Sequence, residues 1–202
     1  MQRFFDIIFS GIALVLLSPL LLPLMFILRV TGEGEIFFPQ NRVGRGGKDF
    51  KLYKFATMLK DSPNMGTGTV TVKNDPRVLP MGGFLRKTKI NELPQLINIF
   101  NGDMSIIGPR PQTQRCFDAF PLSSQNEIIK VRPGLSGIGS IIFRNEEDMM
   151  HANNDPDKFY DEIVMPYKGS LEDWYVSHQN IGSYFSLISL TIWAVLGLNS
   201  GL

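Results

Sequence analysis

The sequence predicts a helix-rich α/β protein associated with a membrane, with an N-terminal re-entrant membrane helix and amphipathic helices at the membrane interface. Two stretches, residues 7–28 and 181–202, carry no charged side chain. The polar body between them combines apolar residues at helical spacing with short strand-like runs. We therefore expect a membrane helix over 1–30, a polar domain over 31–180 and a C-terminal membrane-surface helix over 181–202.

Composition and charge exclude some functional classes. The 202 residues leave room for one domain of ordinary size, and the formal net charge of +1 gives no case for a nucleic-acid partner. Cys116 is the one cysteine, so no internal disulfide can form, which is compatible with a reducing compartment. We interpret Cys116 as a small filler of apolar space.

The N-terminal apolar run predicts a bent membrane helix. As a straight helix, residues 7–28 would measure about 33 Å, enough to cross a bilayer core. Pro19 and Pro23 each remove a backbone donor, so a sharp bend is expected near Ser18. The Ser18 hydroxyl is well placed to compensate for the break inside lipid.

The charges beside this run favour a helix that enters and leaves the membrane on one side. Arg3 precedes the run and Arg29 follows it, so the positive-inside rule does not place the two ends on opposite sides. A simple membrane span is the alternative. A cleaved signal peptide fits less well, because the run is long and no small-x-small cleavage site follows it.

The C-terminal stretch predicts a helix that lies in the membrane surface. Tyr184 to Leu198 would reach only about 22 Å as a helix, short of the hydrocarbon thickness. This segment also carries Trp193, a residue that favours the membrane interface. A buried C-terminal core helix is the alternative.

Two segments of the polar body are candidates for ligand binding. The first segment is "RVGRGGKDFKLYKF", which contains a cluster of basic residues. This cluster either holds anionic lipid headgroups or surrounds a phosphorylated ligand. It is not a Walker loop, because it lacks the GK[ST] ending. The cluster consists of Arg42, Arg45, Lys48, Lys51 and Lys54.

The second segment is "KINELPQLINIFNGDMSIIGPRP", residues 89–111. Its spacing predicts a helix with Asn91 as N-cap, Pro94 in the first turn and a stop at Asn101–Gly102. The predicted buried face consists of Leu93, Leu96, Ile97 and Phe100. The helix does not explain the rigid turn that follows, which presents the guanidinium of Arg110.

Several motifs together resemble the bacterial sugar transferase family, the monotopic phosphoglycosyl transferases. They are "YKFATM" (53–58), "NDPRV…GGFLRKTKINELPQLINIFNGDMSIIGPRP" (74–111), "VRPGLSGIGS" (131–140) and the N-terminal helix with its Ser-Pro break. The match runs in order from about residue 3 to residue 180. It implies that residues 31–180 form a cytoplasmic phosphoglycosyl transferase domain.

The resemblance implies a reaction. Family members transfer a sugar 1-phosphate from a UDP-sugar to undecaprenyl phosphate and release UMP. They use Mg²⁺ and work at the cytoplasmic face of the bacterial inner membrane, in the first membrane step of surface glycan synthesis. A domain held at the interface can meet both the soluble and the membrane-bound substrate. The resemblance does not specify the sugar or the glycan, and it leaves homo-oligomer formation open.

The resemblance also assigns roles to residues. Glu92 and Asn91 fall at the catalytic motif, with Glu92 as the metal ligand. Phosphoryl transfer needs charge neutralisation and in-line positioning, which a carboxylate-bound metal and a few basic side chains can supply. The basic residues at the family's phosphate-binding positions are Arg110, Arg132, Lys54 and Arg86. Lys54 could instead snorkel at the membrane, and Arg132 could instead be a turn residue in a surface ion pair.

The sequence departs from the family's pattern at two positions. The family usually has Asp-Glu-Leu-Pro with the Asp as covalent nucleophile, whereas this chain has Asn91 before Glu92. An amide has no anionic oxygen with which to attack. Ala56 stands where a basic residue is common.

The amide at position 91 leaves several interpretations open. Glu92 takes over the attack, or transfer passes directly between the substrates, or the chain is a weakened or non-catalytic member that binds a ligand or partner at the membrane. An engineered Asp-to-Asn substitution is a further alternative.

Overall fold

A computed structural model describes residues 1–65, 75–144 and 156–196. The chain divides into two compact units. The first unit comprises Met1–Ile8, Asn41–Phe50 and Ile99–Leu202, and the second comprises Phe9–Gln40 and Lys51–Asn98. The last six residues of the predicted C-terminal helix, 197–202, lie outside the described residues.

The fold is a helix-rich α/β arrangement with two small sheets, as the sequence predicts. The strands are β1 (Phe37–Val43), β2 (Asp49–Phe55), β3 (Ser105–Ile107) and β4 (Gly134–Ser136). The helices of the described ranges are α1 (Gln2–Thr31), α2 (Gly82–Lys87), α3 (Gln95–Asn101), α4 (Gln114–Asp118), α5 (Leu122–Ile128), α6 (Ile138–Ile142), α7 (Pro156–Phe159), α8 (Met165–Ser177) and α9 (Ile181–Val195). A π-helical turn, Tyr160–Val164, joins α7 to α8.

Each sheet has two strands. β1 pairs with β2 around the turn Arg45–Gly47, in which Gly46 (φ 72°) and Gly47 (φ 70°) adopt the left-handed conformation that glycine favours. The short strand-like runs predicted in the polar body are confirmed at β1 and β2, which flank this turn. β3 pairs in parallel with β4, and α4 and α5 lie between them in the sequence.

Helix α1 is long and apolar enough to cross a membrane by length and composition. Leu21, Leu24 and Leu28 pack against Phe55 and Leu85 in the core of the second unit. The exposed side of the helix is also apolar. Its large exposed side chains include Val15, Leu16, Leu22 and Phe26. One side of α1 thus belongs to the protein core, and the other presents the surface that lipid would cover.

Pro19 and Pro23 lie inside α1, which is one helix from Gln2 to Thr31, and the sharp bend predicted near Ser18 stays a prediction. Pro19 has no N–H to donate to the carbonyl of Val15, four residues earlier. The Ser18 hydroxyl donates to that same carbonyl oxygen at 2.7 Å. The sequence-based role of Ser18 is therefore confirmed. The re-entrant path of α1 through a membrane stays a prediction.

The region around Asn91 differs from the predicted helix. Residues Ile90–Glu92 form a 3₁₀ turn, and α3 begins only at Gln95, so the prediction of Asn91 as the N-cap was wrong. The Leu93 amide donates to the Ile90 carbonyl, three residues earlier, at 3.1 Å, and this bond closes the 3₁₀ turn. The predicted stop is confirmed, since α3 ends at Asn101 and Gly102 has φ +100°.

The buried face of α3 was only partly predicted. Leu96 is buried, but Phe100 is 46% exposed, whereas Asn98 and Ile99 are fully buried. The side-chain amide of Asn98 accepts from the Tyr53 amide at 3.0 Å and donates to the Lys51 carbonyl at 2.8 Å. Asn98 therefore holds α3 against β2 by hydrogen bonds that an apolar pattern cannot reveal.

Helix α9 has two different sides. Tyr184 and Leu187 are buried in a cluster with Ile107 and Tyr175, while Trp193 is 51% exposed. Its N-terminus has a capping box between Asn180 and Ser183. One side of α9 thus packs in the core of the first unit, and the other side still exposes an apolar strip. Its contact with a membrane surface stays a prediction.

Candidate functional site

Glu92 and Lys54, two of the predicted site residues, lie together in the second unit. Glu92 ends the 3₁₀ turn, and Lys54 comes from β2. The Lys54 Nζ atom lies 3.6 Å from Glu92 Oε1, and both side chains are 20% exposed. A partly exposed ion pair of this kind can be reached by a ligand. It holds the carboxylate of Glu92 close to the ammonium group of Lys54.

The turn that carries Glu92 is set by an unusual backbone conformation. Lys89 precedes the turn with φ 59° and ψ 9°, a left-handed conformation that costs energy for a residue with a Cβ atom. Such strain persists only where the surrounding structure enforces it, and it is often found at functional sites. The conformation at Lys89 places Asn91 and Glu92 on a short turn instead of a regular helix.

Asn91 has a side-chain oxygen that no described residue satisfies. Its Oδ1 atom is buried and has no hydrogen-bond partner in the described part of the chain. Buried acceptors are normally paired, so an unpaired one requires an explanation such as a ligand, an ion or water. The buried Asn91 oxygen therefore lacks a protein donor in the described part of the chain.

Arg86 lies in the last turn of α2, also in the second unit. Its Nη1 atom lies 2.9 Å from the Met58 sulfur. The side chain is half-buried. The described contacts thus bring Lys54 and Glu92 together and place Arg86 beside Met58.

Arg110 belongs to the first unit, where glycines fix the turn before it. The Gly134 amide donates to the Pro109 carbonyl at 2.8 Å, and the Gly108 amide donates to the Ser136 carbonyl at 2.9 Å. A Cβ atom on Gly134 would lie 2.1 Å from the Gly108 nitrogen, so a side chain at position 134 cannot fit. This close approach holds the turn rigid and leaves Arg110 exposed.

A buried acid supports the same turn. Glu172 is 3% exposed and accepts a hydrogen bond from the main-chain N–H of Arg110. Burial raises the pKa of Glu172 to about 8; the nearby charge of Asp173 also raises it, while the Arg110 hydrogen bond and Lys168 oppose the rise. Its Oε2 atom has no hydrogen-bond partner among the described residues. Glu172 is therefore a group that largely holds a proton at neutral pH.

Arg132, the remaining predicted phosphate-binding residue, lies at the start of the segment that leads into β4. Its Nε donates to the Gly102 carbonyl at 2.8 Å. Burial lowers the pKa of Arg132, and the like charges of Arg3 and Arg45 lower it further. The nearby Asp6 carboxylate acts in the opposite direction and raises the pKa of Arg132.

Mg²⁺ is implied by the family resemblance, and the donor set allows a test of fit. The described ranges contain no group of three or more His, Cys, Asp or Glu side chains that could hold a metal. Mg²⁺ prefers oxygen ligands, keeps several waters and is often bound by one or two carboxylates together with substrate phosphates. By donor type, the Glu92 carboxylate and the Asn91 side-chain oxygen suit that incomplete set, and the two residues are neighbours in the sequence.

Sequence reasoning missed three polar residues of the first unit. Asp6 is 1% exposed, and its Oδ1 accepts from Ser105 Oγ (3.0 Å), the Ile106 amide (3.0 Å) and Tyr184 Oη (2.9 Å). The signal for Asp6 was a single acid directly before the apolar run. No local pattern marked Gln2 or Glu172, because their partners are distant in the sequence.

The fold and these residues define a class: a protein with an apolar N-terminal helix and with acidic and basic side chains suited to phosphate chemistry. Residues 1–198 match the profile of the bacterial sugar transferase family. The chain therefore belongs to the bacterial sugar transferase family.

Relatives support this membership. The chain is 35% identical over 159 residues to the exopolysaccharide production protein ExoY of Rhizobium meliloti, covering 72% of this chain and 70% of ExoY. It is 39% identical over 145 residues to an Aeromonas hydrophila protein, the UDP-N-acetylgalactosamine-undecaprenyl-phosphate N-acetylgalactosaminephosphotransferase, covering 70% of this chain and 34% of the relative. It is 36% identical over 153 residues to the Escherichia coli UDP-glucose:undecaprenyl-phosphate glucose-1-phosphate transferase, covering 74% and 33%. The chain thus spans most of ExoY and about a third of the other two relatives.

Proposed function

We propose that this protein transfers a sugar 1-phosphate from a UDP-sugar to undecaprenyl phosphate and releases UMP. The observation that carries the proposal is the Lys54–Glu92 ion pair at the family's catalytic motif, in a chain whose relatives are named for this transfer. The proposed place of reaction is the cytoplasmic face of the inner membrane. The apolar surface of α1 supports membrane attachment.

In the proposed reaction an oxygen nucleophile attacks the phosphorus that bears the sugar. The bond between that phosphorus and the bridging oxygen breaks, and UMP leaves with that oxygen. Basic side chains such as Lys54 neutralise charge on the phosphates, because phosphoryl transfer depends mainly on positioning and charge stabilisation. Arg110, on its rigid turn, offers a forked guanidinium for two phosphate oxygens.

Glu92 has one of two roles in this scheme. Either its carboxylate attacks and forms an acyl phosphate that undecaprenyl phosphate then resolves, or undecaprenyl phosphate attacks directly. In the direct route, Glu92 and the Asn91 oxygen would hold Mg²⁺. When bound, this ion would neutralise negative charge on the diphosphate.

A second candidate function is non-catalytic ligand or partner binding at the membrane. Asn91 favours it, because an amide stands where the family usually has its nucleophilic carboxylate. The retained Glu92 and Lys54 pair favours the enzyme, since a binding subunit has little need of an acid held beside a lysine.

The test is release of UMP by the full chain with undecaprenyl phosphate, Mg²⁺ and a panel of UDP-sugars. We expect turnover with at least one sugar and its loss in Glu92→Gln. Glu35→Gln is the matched control, because Glu35 also pairs with a lysine, Lys60 at 3.0 Å, on an exposed surface. No UMP release with any sugar, alongside retained UDP-sugar binding, would instead support the non-catalytic function.

A further inference from the structure

A polar pocket in the first unit is lined by more cations than anions. It has a volume of about 180 Å³. Arg3, Arg45, Lys130 and Arg132 contribute positive charges to its lining, against the one carboxylate of Asp6. The rest of the lining consists of Gln2, Ser105, Val131 and Gln179. Since a water molecule occupies about 30 Å³ of liquid volume, a small polyatomic anion has room here.

The arginines of this pocket donate to main-chain carbonyls, which leave their positive charge in place. Arg3 donates to the carbonyls of Ile99 and Phe100, the latter at 2.7 Å. Arg45 Nε donates to the Lys130 carbonyl at 3.2 Å, and Arg132 Nε donates to the Gly102 carbonyl at 2.8 Å. Carbonyl oxygens orient a guanidinium without neutralising it, so the remaining N–H groups are positioned to bind an anion.

The Asp6 carboxylate offsets only part of this charge, because it is one anion among four cations of the lining. Asp6 Oδ1 accepts three hydrogen bonds from neutral donors of β3 and α9. Lys130 is the exception among the cations, because it pairs with Glu127. Burial lowers the pKa of Arg132, the like charges of Arg3 and Arg45 lower it further, and Asp6 acts in the opposite direction.

The position of the pocket also favours an anion at a membrane surface. Gln2 and Arg3 lie in the first turn of α1, where the helix dipole favours negative charge. The neighbouring Met1 and Phe4 are 91% and 63% exposed, so large apolar side chains are accessible beside the pocket. An anionic group held at the membrane surface would find both kinds of partner here.

We propose that this pocket binds a phosphate group, either free phosphate or the headgroup phosphate of a membrane lipid. Phosphate is a tetrahedral oxyanion that guanidinium groups bind in pairs of hydrogen bonds. The proposal is independent of the proposed transfer reaction. Lys54, Glu92 and Arg110, the residues given roles in the transfer, do not line the pocket. Arg132 is thereby assigned to this pocket.

The first arm of the test uses inorganic phosphate. The purified full chain in detergent is titrated with phosphate at constant ionic strength by calorimetry, with chloride as the reference. We expect saturable binding that Arg45→Gln, an exposed substitution, weakens about threefold or more. The matched control is Arg115→Gln, which also removes one exposed arginine of the first unit but one paired with Asp161 at 3.2 Å. The thermal midpoint of Arg45→Gln in chloride verifies that this variant folds.

The second arm distinguishes the source of the phosphate. Native mass spectrometry compares retention of phosphatidylglycerol with retention of diglucosyl diacylglycerol, a bilayer lipid without phosphate. Preferential retention of phosphatidylglycerol that Arg45→Gln reduces identifies a lipid headgroup. Binding of inorganic phosphate without lipid preference identifies the free ion.

Three outcomes would overturn the proposal. One is that neither phosphate source binds. Another is that Arg45→Gln and Arg115→Gln weaken binding equally, since that would indicate a general charge effect. The third is loss of phosphate binding in Glu92→Gln, which would move the bound phosphate to the proposed transfer site. Absence of UMP release, by contrast, leaves the pocket proposal intact and contradicts only the transfer.

Discussion

The side-chain amide oxygen of Asn91 is buried and has no hydrogen-bond partner among the described residues. Asn91 comes directly before Glu92, the acid that pairs with Lys54. Exchange of that amide for a carboxylate is nearly isosteric. Because Asn91 is not a helix cap, the exchange does not remove a capping bond. The exchange of Asn91 for Asp therefore changes the chemistry of the side chain while the turn stays the same.

We predict that Asn91→Asp raises UMP release tenfold or more, a change of about 1.4 kcal/mol in the barrier. An anionic oxygen can attack phosphorus and binds Mg²⁺ better than an amide oxygen does. The measurement is the initial rate of UMP release, together with mass spectrometry of any phosphosugar adduct. An adduct on Glu92 in the native sequence would assign the attack to Glu92. Unchanged turnover without an adduct in either protein would rule out the covalent route.

Glu172 gives a second prediction at this scale, because its pKa rises on folding from 4.5 to about 8. The folded state then holds a proton that the unfolded state loses above pH 4.5. The stabilising contribution of that proton is fully present below pH 4.5 and is lost as the pH rises towards 8, by up to about 1.4 kcal/mol per pH unit. Glu172→Gln should remove this slope, so its unfolding free energy relative to wild type should rise between pH 5 and 8.

Chemical unfolding in detergent at several pH values measures this difference. Glu162→Gln is the control, because Glu162 is an exposed acid on the adjoining π-helical turn. We expect the control to keep the wild-type slope. Parallel pH profiles for Glu172→Gln and wild type would contradict a proton held on Glu172.

Among the elements, those with a strong local pattern were predictable. The uncharged run predicted the helix α1, and strand-like runs in the polar body predicted strands of the kind seen at β1 and β2. The parallel pair β3 and β4 has only three residues per strand, and Ser105 lies opposite Gly134, so its pairing depends on contacts distant in sequence. For the same reason the motif residue Glu92 was found from sequence, while Glu172 beneath the Arg110 turn was not.

Helix α1 supplies a prediction at this level. Ser18→Ala leaves the Val15 carbonyl without the hydroxyl that replaces the missing Pro19 donor. We expect a loss of about 1 kcal/mol in the free energy of unfolding, measured by denaturant unfolding in lipid nanodiscs. Ser189→Ala is matched, because Ser189 Oγ donates to the Phe185 carbonyl at 3.0 Å in a helix without proline. Equal losses in the two variants would show that the proline is irrelevant to the role of Ser18.

For the whole molecule, the predicted path of α1 decides on which side of the membrane its ends lie. A cysteine inserted after Met1 and one at Glu35→Cys, each with Cys116→Ser, report on the two ends. If α1 is re-entrant, both should react with an impermeant maleimide from the cytoplasmic side only. Reaction of the first cysteine from the periplasmic side would establish a spanning helix.

The hydrogen bond between Asp6 and Tyr184 also has a consequence for synthesis, because 178 residues separate its two ends. At translation rates of about 5 to 20 residues per second, Tyr184 leaves the ribosome roughly 10 to 35 seconds after Asp6. During that interval the Asp6 carboxylate lacks this partner from α9, while the apolar residues that follow it are already available to the membrane. Membrane association of α1 can therefore precede completion of the first unit, which closes around Asp6 only after α9 has been made.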